Sequence, residues 1–68
     1  MEQLIWTRRE MLMLKLLAEG KNQRGVAEAV GLTVKGVEYS LAVMRRYAGV
    51  TTTQTLVRIV VDQLRGLI

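Results

Sequence analysis

Lys35, Tyr39, Ala42 and Arg46 follow one another at the four- and three-residue intervals that put side chains on one face of a helix. Such a face offers positive charge and hydrogen-bond donors. Lys35 and Arg46 suit phosphates or guanine, Tyr39 suits a phosphate or a thymine methyl, and Ala42 lets a base edge come close. Glu38 and Val43 fall on its flanks, and Arg45 lies nearer the opposite, core-facing side, within reach of a phosphate. Glu38 has two readings: a carboxylate there accepts from a cytosine amino group, or it repels phosphates. Taken as an ordinary surface helix, the same residues form a solvated mixed face. Arg24, with Arg8, Arg9 and Lys21, either adds backbone contacts or is scattered surface charge.

Other chemistries have few residues to work with. The chain has no cysteine and no histidine, which removes thiolate nucleophiles, imidazole bases and nearly all zinc sites. The six acidic residues are spread out as Glu2, Glu10, Glu19, Glu28, Glu38 and Asp62. No catalytic residue, metal ligand or cofactor site is expected, and an enzyme is not. Ten basic residues against six acidic give a net charge of +4, which favours an anionic partner such as nucleic acid or a membrane surface. No apolar run approaches the roughly 18 residues of a membrane span, and the start lacks the basic head and apolar core of a signal peptide. We therefore expect a cytoplasmic protein with no membrane partner.

The elements that position these residues are helices. Proline and phenylalanine are absent, and half of the 68 residues are hydrophobic, enough for one small domain over residues 1–68. A further receiver or ligand-binding domain is not expected. Thr7 and Glu10 have the spacing of a capping box and open a first helix running to about Glu19, stopped by Gly20. Trp6 precedes the cap, placed for a hydrophobic staple, and Met13, Leu14 and Leu17 face the core. Asn22 caps a second helix, Gln23 to Val30, ended by Gly31. Thr33 caps a third lasting to about Tyr47, with Val37, Leu41 and Met44 inward. After Ala48-Gly49-Val50, Thr52 or Thr53 caps a fourth that continues to about Leu67. The fold class is all-α, a compact four-helix domain.

Ala27, Gly31 and Val37 stand at the spacings of a helix-turn-helix: a small residue at the crossing, a glycine in the turn, a β-branched residue locking the second helix. Val26, Val30, Leu32, Leu41 and Met44 fill the apolar positions around them. Two ordinary core helices with a glycine between them would show the same spacing.

At these residues the chain resembles the LuxR/GerE/NarL-type DNA-binding domain. Thr7-Arg8-Arg9-Glu10, Leu14 and Leu16-Leu17-Ala18-Glu19-Gly20-Lys21 resemble its "LTxRE…LLAEGK" opening. Val26-Ala27-Glu28 and Val30-Gly31-Leu32-Thr33 look like its "IAxxLGIS" segment. Val37, Leu41, Met44, Gly49 and Val50 match "TVKxHLxxIxxKLGV" at its apolar and glycine positions. The resemblance runs from about Trp6 to Ile68. It implies a third helix in the DNA major groove and a fourth that pairs with a second protomer. The departures lie where DNA would be met. Gly36-Val37-Glu38-Tyr39-Ser40 replaces Thr-Val-Lys-x-His, so the family's lysine is Glu38. Gln23-Arg24-Gly25 replaces Asn-Lys-Glu, and the arginine opening the fourth helix is replaced around Thr53.

The fourth helix is apolar over about 200° of arc. Leu56, Ile59, Val60 and Leu67 face inward, while Val57, Val61, Leu64 and Ile68 make a second stripe, read as a homodimer interface in preference to deep burial. On the first helix, Met11 and Leu12 either extend the core or mark a protein-binding patch. Gly25 and Gly36, read as interior to their helices, cost each about 0.5–1 kcal/mol relative to alanine. They serve a close approach of another backbone or a phosphate, or they serve nothing. The function expected is DNA-binding transcriptional regulation: double-stranded DNA on Arg24, Lys35, Glu38, Tyr39, Ala42, Arg45 and Arg46, with a homodimer through the fourth helix. The alternative is a protein-interaction module that antagonises a larger LuxR-type regulator without reading DNA.

Overall fold

Each helix starts at a short polar side chain that satisfies N–H groups its first turn leaves without partners. The computed structural model describes residues 6–66, apart from the side chain of Leu64. Within them, α1 spans Arg8–Ala18, α2 Gln23–Val30, α3 Val34–Ala48 and α4 Thr53–Gly66. The capping box before α1 is complete. The Glu10 N–H donates to Thr7 Oγ1 at 3.1 Å, and the Thr7 N–H donates to the Glu10 carboxylate at 2.8 Å. Asn22 and Thr33 cap α2 and α3 by accepting from the N–H groups of Gly25 (2.8 Å) and Gly36 (3.0 Å). Of the two threonines before α4, Thr52 is the cap: its hydroxyl accepts from the Thr55 N–H at 3.2 Å, and Thr53 is the first helical residue.

The helix ends are equally local. After α1 the Gly20 N–H reaches the Leu17 carbonyl and the Lys21 N–H the Leu16 carbonyl, with Gly20 at φ +92°. This paired arrangement satisfies two carbonyls that the last turn leaves over. The turn between α2 and α3 requires Gly31, whose φ of +73° would strain any L side chain. Here the Leu32 N–H closes back on the Ala27 carbonyl at 3.0 Å.

α2 packs against α1 and α3, and α4 packs against the same two. The shared core takes Met13 and Leu14 from α1, Val26 and Ala27 from α2, Val37, Leu41 and Met44 from α3, and Leu56 and Val60 from α4. Trp6 closes one side of it, its ring edge-on to Tyr47 with centroids 5.9 Å apart. The residue set for a staple thus also reaches the last full turn of α3. Trp6 Nε1 is buried with no hydrogen-bond partner among the described residues.

Several expectations need adjusting. α1 ends at Ala18 and α3 continues to Ala48, one residue either way of the expected ends; the expected end of α4 at Leu67 lies outside the described residues. Leu17 and Ile59 are half-buried: Ile59 sits at the edge of the inward arc of α4, and Leu17, in the last turn of α1, borders an open groove with Thr53, Gln54 and Val57. Val57, assigned to an outer stripe, packs against the core. Met11 packs there as well, whereas Leu12 stays on the surface. Gly25 and Gly36 are not interior. Each is the third residue of its helix, in the capped first turn.

Candidate nucleic-acid interface

α3 is held by its inner face and free on its outer one. Val37 and Leu41 are fully buried and Met44 nearly so, which fixes the rotation of the helix about its axis. At 100° per residue, the opposite side must then carry Lys35, Tyr39, Ala42 and Arg46. All four are exposed, as are Glu38 and Val43 beside them. Tyr39 is 73% exposed. Five of the seven residues assigned to DNA therefore share one surface of one helix: Lys35, Glu38, Tyr39, Ala42 and Arg46.

The other two stand elsewhere. Arg24 is exposed on the first turn of α2. Arg45 is half-buried, and its Nη1 donates to Thr53 Oγ1 at 2.8 Å. That bond bridges α3 to the first residue of α4, at the position where the family pattern has an arginine. Arg45 is thus a strut between two helices before it is a donor to anything outside.

The same face carries a second feature, absent from the expectations above. Tyr39, Val43 and Tyr47 are all exposed and four residues apart, so they form an apolar row beside the basic residues. Tyr47 is 71% exposed although its ring meets Trp6, and Val43 and Tyr47 border a shallow depression with Trp6, Glu10 and Met44. The four-residue interval was the available signal.

The dimer residues divide. Val57 and Val61 are half-buried on the flank of α4, with Val57 lining a groove together with Leu17, Thr53 and Gln54. The side chain of Leu64, and Ile68 altogether, lie outside the described residues. Among the described residues, no three His, Cys, Asp or Glu side chains gather as a metal site, and no helix is long and apolar enough to cross a membrane.

A capped helix, a glycine turn and a second helix rotated to expose a mixed basic face define a helix-turn-helix protein. Residues 4–60 match the family model described as bacterial regulatory proteins, luxR family, and the chain belongs to that family. It is accordingly a regulatory protein of the DNA-binding, LuxR type. No curated protein and no solved structure matches the chain.

Proposed function

We propose that the protein is a transcriptional regulator working on cytoplasmic double-stranded DNA, with α3 in the major groove and α4 pairing two copies. One observation carries this reading. The buried side of α3 turns Lys35, Tyr39, Ala42 and Arg46 outward together, and nothing among the described residues covers them. A recognition helix needs that arrangement, with its inner face anchored and its outer face long enough to span base edges and phosphates. Arg24, early in α2, suits a phosphate at the side of the groove, since the first helix of this motif crosses the backbone.

Fluorescence anisotropy with random-sequence duplex at two salt concentrations tests the proposal. Binding is expected to weaken as salt rises, because each phosphate neutralised releases counterions. Replacing both Lys35 and Arg46 with alanine is expected to flatten the logarithmic salt slope by about one unit per lost contact. Arg45→Ala should cost helix packing as well as affinity, given its bond to Thr53. No binding at low salt would overturn the proposal.

A second reading is supported by the same face. Glu38 is exposed where the family pattern has a lysine, and the Tyr39–Val43–Tyr47 row is apolar. Both suit a module that binds a larger LuxR-type regulator and blocks it without touching DNA.

A further inference from the structure

We infer that α3 reads thymine in its site through the 5-methyl group, with Tyr39, Ala42 and Val43 as the apolar contact. The inference rests on the DNA-binding reading above and names what that surface recognises.

Sequence is read in the major groove by side chains that match base edges: Arg or Lys to guanine, Asn or Gln to adenine, a carboxylate to cytosine, and apolar groups to the thymine methyl. α3 contains neither Asn nor Gln, so the two-bond contact to adenine is absent from this helix. Arg45 is occupied with Thr53, and Arg46 lies in the last turn. Helix-turn-helix proteins, however, bring the earlier part of the recognition helix to the bases. Lys35 is the second residue of α3 and stands alone there as a cation, and the exposed Glu38 suits cytosine, not thymine.

What fills the middle of the outward surface is apolar. Tyr39, Ala42 and Val43 are adjacent at i, i+3 and i+4, all exposed, with Lys35 one turn before and Arg46 one turn after. The core does not need them: Val37, Leu41 and Met44 already fill the inward side of the same turns. Val43 keeps 45% of its surface in contact with solvent. An apolar patch between two phosphate-seeking cations has one apolar counterpart on the major-groove edge of a base pair, the thymine methyl. The small side chain of Ala42 lets the helix approach closely enough to meet it.

The experiment uses deoxyuridine, which differs from thymidine only by lacking that methyl. Duplexes bound by the natural chain are first selected from a random library. Each thymine of the selected site is then replaced singly by deoxyuridine, and affinity is read by anisotropy. Loss of one buried methyl contact should weaken binding about fourfold, the equivalent of about 0.8 kcal/mol. At least one thymine in the site is expected to show it. The double variant Tyr39→Ser/Val43→Ser changes two exposed positions to a residue of similar helix propensity, so its helical signal and melting temperature should stay close to those of the natural chain. In that variant the deoxyuridine effect should diminish. Salt-sensitive binding that is indifferent to every deoxyuridine replacement overturns the inference and leaves the DNA-binding reading intact. An undiminished effect in the double variant overturns the assignment to these residues. Failure to bind any duplex at low salt overturns both readings together.

Discussion

Glu38 decides more about this surface than any other single residue. Its carboxylate is exposed on α3 between Val37, which is buried, and Tyr39, which is not. Changing Glu38 to lysine restores the charge of the family pattern and touches nothing in the core. If Glu38 accepts a hydrogen bond from a cytosine, Glu38→Lys should lose about 1–3 kcal/mol of discrimination at one base pair while general affinity rises. If DNA is not the partner, the natural chain should bind no duplex at low salt and the variant should acquire binding. Competition titrations against single-base-pair changes in a selected site separate the two, and we expect loss of discrimination. The outward residues of α3 were legible because three buried side chains fix the helix rotation, and those three were recognisable from periodicity. Arg45 was not. Its position near the core boundary was read correctly, but a hydrogen bond to Thr53 depends on how α4 lies against α3, and no local pattern encodes that.

Caps and turns carried most of what could be read of the elements. They are decided within four residues, so Thr7, Asn22, Gly31 and Thr33 announce helix boundaries without knowledge of the rest of the fold. The same locality corrects the view of the two helical glycines. Gly25 and Gly36 each occupy the third helical position, where α1 has Glu10 completing its capping box. A glycine there keeps the N–H that the cap needs and gives up the reciprocal bond. A Cβ on Gly25 would lie 3.5 Å from Asn22 Oδ1, an ordinary contact, and no other helix comes within 4 Å. Packing between helices therefore does not require this glycine. Gly25→Ala should stabilise the fold by about 0.4–1 kcal/mol, since alanine restricts the unfolded chain more. For a domain of this size that raises the melting temperature by a few degrees. Gly36→Ala should gain less, because its Cβ would meet Thr33 Oγ1, the cap itself, at 3.3 Å. Thermal unfolding of the two variants checks the order; a Gly25→Ala protein less stable than the natural chain would contradict it.

At the scale of the molecule the unresolved business of the fold is α4. Its apolar residues extend around some 200° of arc. Yet among the described residues of one protomer Leu56 and Val60 alone are fully buried on it, with Val57, Ile59 and Val61 left partly in water. α1 and α3 pack against α4, yet Val61 keeps part of its surface in water. The width of the stripe was legible in the sequence. How much of it the protomer itself would absorb was not, because Val57 turns out to rest on the core. What remains favours a second copy related by a two-fold axis, which would also set two α3 helices at the spacing of a two-part DNA site. Sedimentation of the natural chain at high micromolar concentration should show a dimer, and a monomer there removes the proposal. Val61→Asp maps the seam: an aspartate at that position would lie unpaired between two protomers, a cost large enough to separate them. Because Val61 is already half-buried in one chain, the variant must be followed by circular dichroism as well. Retained helix with loss of the dimer locates the interface on α4, and DNA binding by that monomer then shows whether two copies are needed to hold the groove. Retained helix with an unchanged dimer moves the interface elsewhere.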